Sequence, residues 1–327
     1  MKTVSVAIVI NSFNRLQLLK QCLKSLESWV PGAVDWFNPH VFIYDAGSTD
    51  GTMDWLNGGN STEHSFPIKI IDGKNDDDTS FSAGLNHGVA EAFGEMPKLD
   101  YLLLYETDNQ ILSAEPVSQA ITCLERDSNL AACGFTVRYL DGDPAGTGMP
   151  FPKVSHFLLG KKLSHKLKLE RVRYDWKTLD STQFSRVDVV FTSPLMVRPS
   201  AWRASGGLDA QMFPFSDCDI DWAKRLSRLG WHMGVVRTDA VIHDNSAAIS
   251  SWSTNRALHF HRGRLRYFKR YNPIRIALVW PHFLALRHLL EYLLVACFIW
   301  NKERRSHLLA QSKRLMFQVS NAYQEEK

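Results

Sequence analysis

Three aspartates stand at alternate positions in the stretch FPFSDCDIDWAKRLSRLGW, residues 213–231. They are Asp217, Asp219 and Asp221, and two phenylalanines and a proline precede them. A carboxylate at a helix start is stabilised by the helix dipole, so an ordinary acidic helix start near Asp217 explains one of them. The aromatic neighbours would partly desolvate Asp217 and raise its pKa, which suits a group that removes a proton from a substrate. The pattern therefore predicts a general base at Asp217.

A second acidic pair follows the apolar run YLLLYETDNQ, residues 101–110. Glu106 and Asp108 are two positions apart, so an extended chain points both carboxylates the same way. Two like charges at one place repel each other, and a divalent cation would relieve that repulsion. An exposed loop after a strand is the simpler alternative. Hard oxygen ligands favour Mg²⁺ or Mn²⁺ bound together with a diphosphate.

Two polar turns earlier in the chain offer groups that could bind a nucleotide. INSFNR, residues 10–15, exposes Phe13, whose flat ring can stack on a nucleobase. YDAGSTDGT, residues 44–52, places Asp45 where it could accept a pyrimidine N–H, and Gly47 and Ser48 would let the backbone approach closely. An ordinary turn and helix start is the alternative explanation for each stretch.

The elements that must position these residues alternate between strands and helices. Continuous apolar runs predict strands at 4–10, 40–45, 68–72 and 101–106. Periodic patterns predict helices at 15–29, 81–93 and about 116–126, the first with Asn14 as a candidate N-cap. Such alternation gives a parallel sheet with helices on both faces, and its sites lie beyond the carboxyl ends of the strands.

The remainder of the chain is organised differently. Residues 139–184 are irregular and partly basic, which indicates an insertion or flexible loop near the site, and strand character resumes at 187–198. After about residue 246 the chain becomes rich in Arg, Lys and aromatic residues, with an uninterrupted apolar stretch, 292–300, too short to span a bilayer. Helices packed on the catalytic domain and helices lying in a membrane interface both explain this segment. We expect two domains, 1–245 and 246–327.

Bulk composition excludes several classes of protein. A net charge of +4 over 327 residues is too small to argue for a nucleic-acid partner. Five scattered cysteines, never spaced as C-x-x-C, disfavour a zinc framework or a disulfide scaffold and indicate a reducing compartment. The first apolar run ends at Asn11, too early for a signal peptide. We therefore expect a cytoplasmic location, with the inner face of the cytoplasmic membrane as a variant of it.

Five motifs in order carry a family resemblance: VAIVINSFNRLQLLKQCLKSL, VFIYDAGSTDGT, LLLYETDN, GGLDAQMFPFSDCDIDWAKRLSRLGW and VIHDNSAA. Over roughly residues 4–270 the chain resembles family-2 glycosyltransferases of the GT-A fold, and among them bacterial rhamnosyltransferase-like members. The resemblance implies an α/β fold with a Rossmann-like, mostly parallel sheet flanked by helices, and a helical C-terminal extension. It implies inverting transfer of a sugar from a UDP- or dTDP-linked donor to a hydroxyl of a glycan or lipid-linked glycan, in surface polysaccharide synthesis.

Carried over position by position, the resemblance also implies roles for individual residues. Asp217 would be the catalytic base, and Glu106, Asp108 and His243 would bind a divalent metal, Mn²⁺ or Mg²⁺. Binding of the nucleotide sugar would fall to Asn11, Phe13, Arg15, Asp45, Gly47, Ser48, Asn86 and Thr107. Two positions depart from the family pattern: Glu106 replaces an Asp, and Ser216 replaces the Glu before the base.

Other functions remain as alternatives. A nucleotidylyltransferase or a dinucleotide-dependent dehydrogenase would want glycines after the first strand, and INSFNR has none. A non-catalytic relative that binds nucleotides or glycans is the stronger rival, because of the two departures. Peripheral membrane contact through the C-terminal basic and apolar helices is expected, with anionic headgroups or a phosphorylated lipid acceptor as partner.

Overall fold

The computed structural model describes residues 3–58, 64–146, 148–167, 184–191, 194–244, 254–279 and 282–321. These residues form two compact units. The first unit holds those up to Phe151, those from 184 to Pro214, and those from Cys218 to 244. The second unit holds those from Pro152 to 167, the three residues Phe215–Asp217, and those from 254 onward. The predicted domain boundary at 245/246 lies outside the described residues and stays a prediction.

The strands of the described chain all belong to the first unit. They are β1 (Val4–Ser12), β2 (Phe37–Asp45), β3 (Ile68–Asp72), β4 (Tyr101–Glu106), β5 (Asn109–Ile111), β6 (Leu130–Phe135), β7 (Val137–Arg138), β8 (Pro144–Gly146), β9 (Phe184–Val187), β10 (Leu195–Val197), β11 (His232–Val236) and β12 (Val241–His243).

The helices are divided between the units. The first unit contains α1 (Leu16–Glu27), α2 (Thr52–Asn57), α3 (Phe81–Glu95), α4 (Glu115–Arg126), α6 (Pro199–Ser205) and α7 (Cys218–Arg228). The second contains α5 (Val154–Lys166), α8 (Thr254–Tyr271), α9 (Pro273–Val279), α10 (His282–Phe298) and α11 (Lys302–Asn321).

The main sheet of the first unit has eight strands in the order β3-β2-β1-β4-β10-β6-β11-β9. Strands β3, β2, β1 and β4 run parallel to one another, as do β6 and β11, whereas β10 and β9 are antiparallel to their neighbours. A smaller sheet, β5-β12-β7-β8, follows the end of β4. The predicted α/β fold with a mostly parallel sheet between helices is confirmed.

The core of the first unit follows from the apolar runs that predicted its strands. Residues 6–10 of β1 and 102–105 of β4 are fully buried, as strands covered on both faces by helices must be. Helix α1 buries Leu19, Leu23 and Leu26 in the same core cluster, at the spacing of one helical face. Each such side chain contributes about 1.5–3 kcal/mol by leaving water.

Part of the segment expected to be an irregular insertion is helical. Helix α5 occupies 154–166, and its backbone is broken at Gly160, whose φ of 76° lies in the left-handed region that suits glycine. Strand structure begins at Phe184 rather than 187. The rest of the expected insertion, 168–183, lies outside the described residues.

Candidate active site

Three parallel strands of the first unit end side by side. Strand β1 pairs with β2 on one side and β4 on the other, so that Ser12 lies beside Asp45 and Asn11 lies beside Glu106. The carboxyl ends of neighbouring parallel strands meet at one edge of a sheet, where open α/β sheets bind their ligands. The structure therefore brings residues of three separate motifs to one edge.

Two buried polar atoms at the end of β1 have no hydrogen-bond partner among the described residues. They are Oδ1 of Asn11 and the hydroxyl oxygen of Ser12. A Cβ at Gly84 of α3 would lie 2.7 Å from the Asn11 oxygen, so glycine at that position leaves room for the amide. Because buried polar groups are nearly always paired, these atoms are candidates for contact with a ligand.

The loops that follow β1 and β2 are bonded to each other. The backbone N–H of Asn14 donates to the Ser48 hydroxyl at 2.8 Å, and the Asn14 side chain accepts from the N–H of Thr49 at 2.7 Å. The N–H of Leu16, the first residue of α1, donates to a carboxylate oxygen of Asp50 at 2.9 Å. The predicted N-cap at Asn14 is thus wrong: Asn14 adopts a left-handed φ of 52° and ties the loops together, and Asp50 satisfies the helix start instead.

Asp45 is fully buried and organises the loop after β2. One carboxylate oxygen accepts the N–H groups of Gly47 and Ser48 at 3.1 and 2.7 Å, and the other accepts the Ser48 hydroxyl at 2.6 Å. Gly47 has a φ of 85°, a conformation that a side chain would strain. A carboxylate has about four acceptor positions, so roughly one is left for a ligand.

Phe13 projects from the loop after β1 and is 55% exposed. A flat exposed ring is suited to stacking on a base. The sequence-based role of Phe13 is compatible with this placement and stays a prediction.

Asp108 lies just beyond β4 and is held by two cationic side chains. Its Oδ2 atom is 2.9 Å from Nη1 of Arg15 and 3.5 Å from Nε2 of His243. His243 reaches this position because β12 pairs with β5 so that His243 is opposite Asn109. Burial alone would raise the pKa of Asp108, but His243 and Arg15 outweigh burial and hold that pKa below its usual range. Burial would lower the pKa of His243, and Asp108 raises it instead.

Glu106 is half-buried at the end of β4, and its pKa is shifted in the opposite direction from that of Asp108. Burial raises the pKa of Glu106 to about 7, and the neighbouring charge of Asp108 adds to the rise. The negative charge of Asp219 acts in the same direction. Near neutral pH Asp108 is therefore ionised, whereas Glu106 is only partly ionised.

The described residues contain no group of three or more His, Cys, Asp or Glu side chains placed to hold a metal ion. The predicted set of Glu106, Asp108 and His243 is therefore not assembled as a complete cage. Mg²⁺ and similar cations are commonly bound by one or two carboxylates together with substrate phosphates. Asp108 and His243, whose Oδ2 and Nε2 atoms are 3.5 Å apart, are the side chains that could share such a cation with a diphosphate.

The aspartates of the acidic motif have different surroundings. Helix α7 begins at Cys218, so Asp219 and Asp221 lie in its first turn. Asp221 is fully buried and accepts from Nε of Arg225 at 2.8 Å, and that guanidinium also bonds the backbone oxygen of Gly207 at 2.7 Å. The pair of Asp221 and Arg225 therefore stabilises the packing of α7 against the loop before it. Asp219 is buried too, and its negative charge helps to raise the pKa of Glu106.

Asp217, the predicted base, belongs to the second unit. Arg264 of α8 holds both of its carboxylate oxygens, with Nε at 2.6 Å and Nη2 at 3.2 Å. Burial raises the pKa of Asp217, and Arg264 opposes that rise. The residue has a φ of 61°, a strained conformation for a residue with a side chain, and such strain is concentrated at functional sites.

Two further residues predicted to bind the nucleotide sugar are a partly buried asparagine and a buried threonine. The amide of Asn86 donates to the oxygen of Leu208 at 2.8 Å and accepts from its N–H at 2.9 Å. Thr107 is buried between Glu106 and Asp108. Asn86 thus holds the turn at Gly207, and a direct contact with donor stays a prediction for both residues.

Comparisons with known proteins identify the family and the fold. A family model described as "Glycosyl transferase family 2" matches residues 7–179, just over half of the chain. No curated protein sequence matches the chain. The matched residues include most of β1, all of β2 to β4 and both loops described above, as well as Glu106 and Asp108.

Solved structures share the fold at low sequence identity. The mannosyltransferase PcManGT from Pyrobaculum calidifontis, in complex with GDP-Man and Mn²⁺, is 11% identical with a TM-score of 0.56, over 96% of this chain and 87% of that one. GalNAc-T7 with UDP, GalNAc and Mn²⁺ is 9% identical with a TM-score of 0.53, over 99% of this chain and 58% of that one. The chain thus spans little more than half of the second protein. At such identities the likeness shows the fold alone.

Sequence reasoning missed the roles of four residues that shape the site. The pair Asp221 and Arg225 is spaced i, i+4 on a helix, a signal that could have identified its structural role. Asp219 is the aspartate of the acidic motif that contributes to the raised pKa of Glu106. Arg264 lies 47 residues from Asp217, and no local pattern connects the two.

Proposed function

The chain belongs to glycosyl transferase family 2, and on that premise we propose that it transfers a sugar from a nucleoside-diphosphate sugar to a hydroxyl group of a glycan or lipid-linked glycan. The observation that carries the proposal is the ionised Asp108 at the edge where β1, β2 and β4 end, with Arg15 and His243 against it. A carboxylate beside two cationic groups can share a bound cation and a diphosphate.

In this proposal the nucleotide lies over the loops after β1 and β2. Phe13 stacks on the base, and the remaining acceptor position of Asp45 takes an N–H of a pyrimidine. Gly47 and Ser48 keep the loop backbone close, and Asn11 offers its unpartnered oxygen. A UDP- or dTDP-linked donor is proposed, with a hexose or a deoxyhexose such as rhamnose as the sugar.

The diphosphate lies toward Asp108. A divalent cation, Mn²⁺ or Mg²⁺, bound there would offset the charge that develops on the leaving diphosphate. Asp108 and His243 would hold it, and Glu106 stands next to them as a further oxygen ligand. Arg15 would then move from Asp108 to a phosphate oxygen, because its side chain is nearly half exposed and can reorient.

The acceptor hydroxyl is deprotonated by an aspartate of the acidic motif. The oxygen of the acceptor hydroxyl then attacks the anomeric carbon of the donor sugar from the face opposite the diphosphate. The bond from that carbon to the diphosphate oxygen breaks, and the configuration at the carbon inverts. Asp217 is the base assigned from the sequence, and its raised pKa suits that role, although Arg264 occupies both oxygens. We favour Asp219, which lies in the same unit as Asp108 and Glu106.

The proposed acceptor is a growing surface polysaccharide or its lipid-linked precursor. Transfer to such an acceptor would take place at the inner face of the cytoplasmic membrane. A hydroxyl acceptor needs a base, and the buried aspartates of the acidic motif are candidates for it, which supports an enzyme over a binding protein.

A thermal-shift screen over nucleoside diphosphates, with and without Mn²⁺, tests the first step, since a ligand that binds the folded state raises the Tm. Release of nucleoside diphosphate from UDP- and dTDP-sugars then tests catalysis. We expect Mn²⁺-dependent binding and turnover. Binding without any hydrolysis or transfer would instead favour the non-catalytic relative.

A further inference from the structure

Helix α10 of the second unit turns apolar side chains to the solvent. Its outward face, as we call it, consists of Phe283, Leu286, Leu290, Leu293, Leu294 and Phe298, spaced along one side of the helix and all exposed. Helix α9 adds Ile274 and Leu278, and the connection after α10 adds Trp300, which is 91% exposed. Scattered exposed leucines are ordinary, but a contiguous apolar surface marks a site of interaction.

The polar residues of the same helix make contacts within the unit. Arg287 bonds Glu291 at 2.9 Å and also donates to the backbone oxygen of Phe157 in α5. His288 is 1% exposed, lies 2.9 Å from Glu291, and packs edge-on against His261 of α8. Only Leu284 among the apolar residues of this helix is fully enclosed.

This arrangement departs from the usual pattern of a helix in water, where the apolar stripe faces the core. A helix that pairs its charged groups within the unit and leaves most of its leucines exposed is matched to surroundings less polar than water. No helix in the described part of the chain is long and apolar enough to cross a bilayer. The surroundings that fit are an interface in which such a helix lies flat.

Charge at the ends of the outward face indicates the sign of that interface. Arg275 of α9 is exposed at one end, and Lys302, Arg304 and Arg305 are exposed at the start of α11, where Glu303 is the one acidic residue. Tryptophan and basic residues at the border of an apolar surface are typical of contact with lipid headgroups. Basic residues contact anionic headgroups favourably, whereas against a second copy of this chain they would meet the same positive charge.

We infer that the outward face of α10, with the neighbouring residues of α9, docks in the plane of an anionic lipid bilayer. The inference rests on the second unit alone and holds whether or not the first unit proves to be a glycosyltransferase. It identifies the partner as a lipid surface, with Trp300 at headgroup level and the basic residues on anionic phosphates.

Flotation with vesicles tests the inference on the full chain. Vesicles of phosphatidylcholine with phosphatidylglycerol are compared with vesicles of phosphatidylcholine alone, and we expect clear binding to the former and much weaker binding to the latter. The double variant Leu290→Glu, Leu294→Glu should reduce binding about a hundredfold, because two apolar side chains that would enter the lipid are replaced by charged ones. Both positions are exposed, so the fold should not suffer. The matched control is Leu112→Glu with Leu140→Glu, two exposed leucines of the first unit.

A second pair of variants separates the electrostatic part. Arg304→Glu with Arg305→Glu should lower binding at least about tenfold, and added salt should reduce wild-type binding in the same direction. Lys24→Glu with Lys98→Glu, exposed in the first unit, is the matched control and should bind as wild type. Unchanged vesicle binding by the leucine variant would overturn the inference. A wild-type dimer in analytical ultracentrifugation that becomes monomeric in the leucine variant would also overturn the inference. In that case a second copy of the chain, and not lipid, would cover the outward face.

Discussion

Arg15 and Asp108 form an ion pair of 2.9 Å although 93 residues separate them in the chain. The pair joins the start of α1 to the residues beyond β4 across the edge of the sheet. Arg15 is partly exposed and Asp108 is buried, so the bond is not a surface contact that water screens fully. It places a positive charge where a diphosphate and its cation would need one, and the predictions below begin from it.

Asp108→Asn should remove the dependence of activity on Mn²⁺. The amide keeps the size of the side chain and loses the charge that attracts the cation, so kcat should fall by roughly 10²–10³-fold. Initial rates measured over a range of Mn²⁺ concentrations test this. Asp239→Asn, on an exposed carboxylate paired with Arg138, is the control and should leave the metal response unchanged. A variant at Asp108 with normal Mn²⁺ activation would contradict its role.

Asp219→Asn should lower kcat by about 10²–10⁴-fold while the Kd for nucleoside diphosphate stays the same, because only proton removal is lost. Asp217→Asn is the comparison, since the amide oxygen can still accept from Arg264. We expect a smaller loss of kcat there. If Asp217→Asn proved the more damaging of the two, the base would be Asp217, as the sequence motif indicates.

Phe13→Ala should weaken nucleotide binding and leave stability unchanged. Stacking of an aromatic ring on a base is worth about 1–3 kcal/mol, which corresponds to a Kd raised by roughly 5- to 150-fold. The ring is more than half exposed, so the Tm without ligand should not move. Isothermal titration with UDP and dTDP measures the effect, and Leu112→Ala, at another exposed apolar residue, is the control.

Asn86→Ala should reduce stability, because it removes both hydrogen bonds that hold the backbone of Leu208. Leaving those partners unmatched costs about 1–3 kcal/mol, measurable by urea unfolding. Asn129→Ala, at an exposed asparagine, should cost much less. A variant of Asn86 with unaltered stability and tenfold weaker nucleotide binding would favour the sequence-based role in donor binding.

The second unit should lose stability in mild acid. Burial lowers the pKa of His261 from 6.5 to about 3, and the neighbouring His288 and Arg287 act in the same direction. The unfolded chain then binds more protons than the folded one between these values, so stability is full above pH 6.5 and falls as the pH drops toward 3. His261→Phe should flatten the dependence of Tm on pH from 6.5 to 4.5.

Two comparisons make that measurement decisive. His307→Phe changes a histidine of the same unit that is exposed in the folded chain, and the slope of Tm against pH should persist. Burial would raise the pKa of Glu291, but His288 and Arg287 lower it to about 2, so its contribution is lost only from pH 4.5 down. A slope unaffected by His261→Phe would show that another group titrates.

The strands and helices near the site could be predicted because their signals are local. The apolar runs of β1 and β4 are continuous, and Leu19, Leu23 and Leu26 repeat at helical spacing. The α/β fold and the edge that carries Glu106 and Asp108 follow from these patterns alone. Hydrophobic burial depends on the residue itself and its near neighbours, which a sequence displays directly.

The partners of the polar side chains could not be predicted in the same way. Asn14 has the residue type of a helix N-cap, yet its side chain serves Thr49, and Asp50 satisfies the start of α1 from 34 residues away. Arg264 reaches Asp217 across 47 residues. Such hydrogen bonds depend on the relative position of two segments that are distant in the chain, and the sequence of neither segment alone determines that position.

Helix α10 also reverses the usual map of mutational tolerance. In aqueous expression its leucines should accept polar replacements with little harm to folding, and Arg287 should accept almost none, because its guanidinium joins Glu291 and α5. In a library of variants selected for solubility alone, the leucines of this helix would therefore be replaced first, and Arg287 and Glu291 would be retained. The same library selected in living cells, where attachment matters, would keep both.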